Sequence, residues 1–258
     1  MADFRNSNVR VANGAQAGVA IDEGLRAYML RVYNIMAMGL GITGVAALVV
    51  AMYATTNDPA NAVATLGNGK MLTNLGAVLY GSPLKWVVML APLAMVFFLS
   101  FRIEKMSVSA AQTTFWVYAA MMGVSLSSIF LVFTGSSITQ TFFVTAASFG
   151  ALSLYGYTTK KDLSGMGSFL IMGVFGLIIA MVVNIFLQSS ALEFAISAIG
   201  VLIFAGLTAY DTQQIKEMYY EGDTDATAGR KAIMGALRLY LDFINLFMFM
   251  LQFLGNRE

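Results

Sequence analysis

The sequence contains no cysteine, no histidine and only three prolines among its 258 residues. The absence of cysteine excludes disulfides and thiolate chemistry, and the absence of histidine removes the most common general base and transition-metal ligand. Charged side chains are also scarce, because they make up 11% of the chain, against roughly 25% in a soluble domain. Any proton chemistry in this protein must therefore use carboxylates or lysine.

Apolar residues are abundant instead, at 58% of the chain. A transmembrane helix needs about 20 consecutive apolar residues. Seven such stretches occur, at residues 29–54, 84–101, 113–133, 138–156, 167–187, 191–215 and 233–254. We predict an all-α membrane protein with seven transmembrane helices, in which residues 29–258 form one membrane domain and residues 1–28 a flexible tail.

The connections between these spans are short, apart from residues 55–83. This segment contains two turn signals, Asn57-Asp58-Pro59 and Asn68-Gly69, and is predicted to be a long loop. The short connections favour antiparallel packing of consecutive spans.

The basic residues that flank the spans are distributed unequally between the two sides of the membrane. Three lie on one side, at Lys70, Lys85 and Arg257. Eleven lie on the other: Arg5, Arg10, Arg26, Arg31, Arg102, Lys105, Lys160, Lys161, Lys216, Arg230 and Lys231. The positive-inside rule therefore predicts a cytoplasmic N-terminus and an external C-terminus. The net charge of +1 argues against a nucleic-acid partner, because no basic excess is available for phosphates.

Twelve of the fourteen acidic residues lie in tails, loops or span ends, and two do not. Asp211 lies near the cytoplasmic end of span six, and Asp242 lies about ten residues into span seven. Placing an aspartate at the centre of a membrane helix costs about 2.5–3.5 kcal/mol. Because a short loop joins the two spans, we expect the two carboxyls to be neighbours, to share a proton and to titrate as a unit.

Other polar residues near the two aspartates allow further interpretations. Arg238 precedes Asp242 by one helical turn, so it is an alternative partner that would simply neutralise Asp242. Additional oxygens for an ion pathway are offered by Asn245, Thr208 and Gln214. Calcium prefers six to eight oxygen ligands, so Asp211 and Asp242 are predicted to bind it only weakly and transiently.

The segment Gly39-Leu40-Gly41-Ile42-Thr43-Gly44 matches the dinucleotide-binding pattern G-x-G-x-x-G. That motif functions only between a strand and a helix N-terminus, whereas this copy lies inside an apolar span. We interpret its small residues as sites of close helix packing.

Three segments resemble the Bax inhibitor 1 family of membrane proteins, in its bacterial form. They are Tyr210-Asp211-Thr212-Gln213-Gln214-Ile215-Lys216, the segment 236–247 that contains Arg238-Leu239-Tyr240-Leu241-Asp242, and the basic loop Lys160-Lys161-Asp162-Leu163-Ser164. The similarity extends over nearly the whole chain from span one.

The resemblance implies a bundle in which the last helix is central and two groups of three helices surround it. It also implies a pH-sensitive calcium leak that is controlled by Asp211 and Asp242, with Arg102 at the end of span two as a counter-ion. Some bacterial members are thought to interact with a membrane-anchored AAA protease, which makes such a protease a candidate partner. The resemblance places the protein in the bacterial inner membrane.

Three functions are consistent with these observations. The first is a proton-gated cation leak without a bound cofactor, in which calcium is the permeant ion. The second is an interaction protein that modulates a membrane-anchored protease through residues 1–24. The third is an intramembrane aspartyl protease, which is disfavoured because Leu239, Tyr240 and Leu241 precede Asp242 where Gly-x-Gly is expected. We therefore expect no enzymatic activity.

Overall fold

The computed structural model describes the backbone of residues 3–257 and the side chains of residues 23–257. Seven long helices dominate it: α1 (Asp3–Ala54), α2 (Leu84–Arg102), α3 (Val108–Leu126), α4 (Gly135–Thr158), α5 (Ser164–Leu187), α6 (Ser190–Glu217) and α7 (Asp225–Leu254). Each is long and apolar enough to cross a membrane, with α1 contributing from Glu23 onward. The predicted fold class is confirmed. Six of the predicted spans lie within one of these helices, and the third, residues 113–133, continues past α3 through the short helix Ile129–Val132.

Four of the helices begin at a side-chain cap. A hydroxyl of the preceding residue accepts a hydrogen bond from a backbone N–H in the first turn, which satisfies one of the donors that a helix start leaves free. The capping residues are Ser107, Thr134, Ser189 and Thr224. These caps lie before the first apolar residue of each span, so the helices start earlier than hydropathy alone predicts.

The predicted boundary at residue 28 has no counterpart in the backbone, because α1 is continuous from Asp3 to Ala54. Side chains of residues 1–22 lie outside the described part of the chain. Both the flexibility predicted for residues 1–28 and the partner-binding role predicted for residues 1–24 therefore stay predictions.

The long connection between α1 and α2 contains more structure than the sequence predicted. Three two-residue strands, β1 (Thr55–Thr56), β2 (Ala64–Thr65) and β3 (Met71–Leu72), form an antiparallel sheet with β3 in the middle. Gly69 adopts a φ of 84°, which confirms the second predicted turn. The connection docks onto the segment that follows α3, where the Asn68 amide donates to the carbonyl oxygen of Leu131 at 2.8 Å.

The last helix, α7, lies at the centre of the bundle. It packs against α1, α3, α4 and α6, and 67% of its most apolar stretch is buried, against 11–39% in the other six helices. Helices α1–α3 pack together on one side, and α4–α6 pack together on the other. The architecture that the family resemblance implied is therefore confirmed.

Glycines mark the closest approaches within each three-helix group. A Cβ added at Gly123 on α3 would lie 2.4 Å from the carbonyl oxygen of Thr43 on α1. One added at Gly156 on α4 would lie 2.1 Å from the carbonyl oxygen of Ala209 on α6. Small residues thus allow the backbones to touch, as is common in membrane helix pairs.

We expect Gly156→Ala to destabilise the bundle by about 1–3 kcal/mol, because the new methyl group would push α4 away from α6. The matched control is Gly150→Ala on the same helix, where an added Cβ meets no atom within 4 Å. Thermal unfolding in detergent checks this, with a lower Tm expected for Gly156→Ala alone. Equal Tm values for the two variants would contradict the close contact.

Candidate functional site

The loop between α6 and α7 is held by one lysine. The Lys231 ammonium forms an ion pair with Oδ2 of Asp223 at 2.6 Å and donates to the carbonyl oxygen of Met218 at 3.0 Å. Both acceptors belong to the end of α6 or the turn that follows it. These contacts fix the antiparallel register of α6 and α7 at the basic side of the bundle.

A second set of contacts ties the basic loop after α4 to α6. The side-chain amide of Gln213 accepts from the backbone N–H of Leu163 and donates to the carbonyl oxygen of Lys161, each at 2.8 Å. Lys216 donates to the carbonyl oxygen of Tyr157 at 2.8 Å. Sequence reasoning missed the role of Gln213, although a glutamine inside an apolar span is itself a signal of a polar partner.

The aspartates at positions 211 and 242 meet between α6 and α7. Their carboxyl groups lie within hydrogen-bonding reach of each other, and Asp242 is only 4% exposed. In the part of the chain whose side chains are described, Oδ2 of Asp242 has no hydrogen-bond donor. An ionised carboxylate can only accept hydrogen bonds. Asp211 and Asp242 therefore form a hydrogen bond with each other when one of the two carboxyls carries a proton.

An arginine supplies positive charge that acts on both carboxyls. That residue is Arg238, one turn before Asp242 on α7, and its side chain is exposed. Arg102 is exposed at the last residue of α2 and is not among the charges acting on either aspartate. Of the two candidate counter-ions, Arg238 is the one that contributes to the electrostatics of the pair, and the counter-ion role itself stays a prediction.

Each of the three residues predicted as secondary ion-pathway ligands forms a hydrogen bond within its own helix, and their role in a pathway stays a prediction. The Thr208 hydroxyl donates to the carbonyl oxygen of Phe204 at 2.8 Å, within its own helix. Gln214 donates to Glu217 at 3.2 Å near the exposed end of α6. Asn245 donates to the carbonyl oxygen of Leu241 at 2.8 Å, one turn beyond Asp242.

A chain of hydroxyl groups connects the neighbourhood of Asp211 to the outer helices. Ser153 on α4 lies 2.6 Å from the hydroxyl of Tyr33 on α1 and 2.9 Å from that of Thr212 on α6. These contacts join residues more than fifty positions apart, so no local sequence pattern could predict them. They place polar atoms across the seam between the two three-helix groups.

The two aspartates are the acidic side chains of this site. Among the residues that the structure describes, no group of three or more acidic side chains comes together. Two carboxyls fall short of the six to eight oxygens that calcium prefers. The weak calcium binding predicted at the pair therefore stays a prediction.

The fold and this site define a multi-pass α-helical membrane protein with a pair of carboxyls between its last two helices, of which that of Asp242 is buried. Residues 25–258 match the model of the family described as Inhibitor of apoptosis-promoting Bax1. The chain belongs to this Bax inhibitor 1 family.

Bacterial relatives match almost the whole chain. The inner membrane protein YbhL of Escherichia coli (strain K12) is 46% identical over 91% of this chain and 94% of its own length. A protein of Caulobacter vibrioides is 47% identical over 100% of both chains. The protein RP147 of Rickettsia prowazekii is 48% identical over 92% of each chain. These matches and the seven apolar helices support a multi-pass protein of the bacterial inner membrane.

We expect Asp242→Asn to make the stability of the protein less dependent on pH. The amide donates a hydrogen bond to Asp211 without a shared proton, so protonation no longer controls this contact. Thermal unfolding in detergent across the physiological pH range tests this, with Asp225→Asn at the exposed start of α7 as the matched control. The shared-proton interpretation fails if Asp242→Asn keeps the pH profile of the parent.

Proposed function

We propose that this protein is a pH-sensitive cation leak for calcium, with Asp211 and Asp242 as its proton-controlled latch. The observation that carries the proposal is the contact between two carboxyls inside the bundle. Ionisable groups at membrane depth are costly and commonly mark ion or proton pathways. In a chain without histidine, this pair is the natural proton sensor.

The position of the latch on the central helix links its charge to the whole bundle. Asp242 belongs to α7, which packs against both three-helix groups, and Asp211 belongs to α6 in one of them. A shared proton holds α6 and α7 together through a hydrogen bond. Loss of that proton replaces the bond with repulsion between like charges at short range, which is strong where water is scarce.

The counter-charge belongs to the same latch. Arg238 attracts both carboxyls and extends toward solvent on the basic side of α7. Arg238 therefore competes with a passing cation for the two carboxylates, so that calcium binds only transiently. A leak requires such weak binding, because an ion held tightly does not leave.

The burial of Asp242 supports a leak over an aspartyl protease. A protease dyad has to activate water and admit a peptide between its two carboxyls. Asp242 is 4% exposed, and its neighbours Leu239, Tyr240 and Phe243 are buried as well. This packing disfavours binding of a peptide between the two carboxyls, so we propose that the protein is not an enzyme.

Calcium flux into liposomes, measured across pH, tests the latch. We expect Asp211→Asn and Asp242→Asn each to change the flux and to flatten its pH profile, because neither variant has two carboxyls to share a proton. Asp225→Asn, which alters an exposed acid of α7, should behave as the parent does. If both latch variants keep the parental flux and pH profile, the latch is refuted.

We further propose that the basic side of the bundle faces the cytoplasm, because eleven flanking basic residues lie on that side and three on the other. Because the chain has no cysteine, single cysteines report this directly. In intact spheroplasts, a membrane-impermeant maleimide should label Ala60→Cys in the connection before α2. It should leave Glu221→Cys, between α6 and α7, unlabelled until the membrane is opened. The reverse pattern would invert the orientation.

A further inference from the structure

A cavity opens between α1 and α4, where the two three-helix groups face each other. Its volume is about 610 Å³, within the range of roughly 300–1,000 Å³ that is typical of ligand sites. The hydrogen bond between Tyr33 and Ser153 crosses this seam, and both residues line the cavity. We call this cavity the α1–α4 groove.

The walls of the α1–α4 groove are mainly apolar, but one end is basic. Met29, Leu30, Met36 and Phe149 supply apolar surface, whereas Arg26 lies at the end of the groove nearest the start of the α1 span. Along α1, the groove therefore changes from a charged end to an apolar interior. That is the order of groups in a phospholipid that stands in one leaflet.

The length of the α1–α4 groove fits one leaflet. Ten residues separate Arg26 from Met36, which corresponds to a rise of about 15 Å along a helix. The hydrocarbon core of a bilayer is about 30 Å thick, so one leaflet accounts for about half of it. A second cavity of about 570 Å³ continues beyond Met36 and Phe149 and leaves room for longer chains.

A second cation stands near the charged end of the groove. The Lys216 ammonium lies 5.6 Å from the centre of the Tyr157 ring, and Tyr157 lines the groove beside Arg26. Arg26 and Lys216 both lie on the basic side of the bundle, and positive charge near a membrane surface attracts anionic lipid headgroups. A comparable groove between α5 and α6, of about 450 Å³, is lined by apolar residues throughout.

We infer that the α1–α4 groove binds one acyl chain of an anionic glycerophospholipid, whose phosphate pairs with Arg26. The chain lies against the apolar walls between α1 and α4. Gly150 leaves space for it, since an added Cβ there would meet no atom within 4 Å. This site is independent of the calcium leak, because none of its evidence involves the aspartate pair.

Native mass spectrometry of the full, delipidated chain in detergent tests the inference, with phosphatidylglycerol and phosphatidylcholine as the two probes. The parent should retain one phosphatidylglycerol in preference to phosphatidylcholine. Arg26→Gln should weaken that preference about fivefold, the factor that roughly 1 kcal/mol per basic residue gives. Gly150→Leu should abolish retention of the lipid by filling the groove.

Two controls separate the site from general effects of charge and folding. Lys105→Gln removes an exposed basic residue on the same side, and Gly176→Leu fills open space in the apolar α5–α6 groove. Both should retain phosphatidylglycerol as the parent does. Equal retention of the two lipids by the parent, or parental retention by both Arg26→Gln and Gly150→Leu, would overturn the inference. A dimer of the parent that dissociates in Gly150→Leu would also overturn the inference, because a second copy of the chain would then occupy the groove.

Discussion

The burial of one carboxyl group, that of Asp242, is the constraint on which this structure depends. A carboxylate inside a membrane bundle is expensive unless its charge is neutralised or its oxygens are hydrogen-bonded. The fold supplies two interactions that lower this cost, one with the carboxyl of Asp211 on α6 and one with Arg238, one turn away on α7. The first works through a proton and the second through charge, so the balance between them depends on pH.

The rest of the bundle holds that arrangement in place. Lys231 fixes the turn between α6 and α7, and Gln213 fixes the loop after α4 against α6. Close contacts at Gly156 bring α4 onto α6. Helix α7 lies between the two three-helix groups. A change in the charge of the aspartate pair therefore affects both groups together.

Much of this could be predicted from the sequence, because a membrane imposes simple rules. Hydropathy located all seven helices, and the cost of intramembrane charge singled out Asp211 and Asp242. The contacts that hydropathy does not encode were missed. They are the three-stranded sheet before α2, the hydrogen bonds from Gln213 to the loop after α4, and the hydroxyl chain through Ser153. Arg102 was assigned by resemblance alone, whereas Arg238 occupies the position beside the pair because one helical turn places it there.

The glycines of the segment Gly39–Gly44 were interpreted as sites of close helix packing. An added Cβ at Gly41 or Gly44 meets no atom within 4 Å. Of the glycines in this motif, only Gly39 packs closely, against Phe115 and Tyr240.

The central claim is that Asp211 and Asp242 share one proton. Infrared difference spectroscopy of the reconstituted protein across pH measures this most directly, through the C=O stretch of a protonated carboxyl. The account predicts a protonated-carboxyl band that titrates over the same pH range as calcium flux and disappears in both Asp211→Asn and Asp242→Asn. A band that persists unchanged in both variants, or the absence of any such band in the parent, would contradict it.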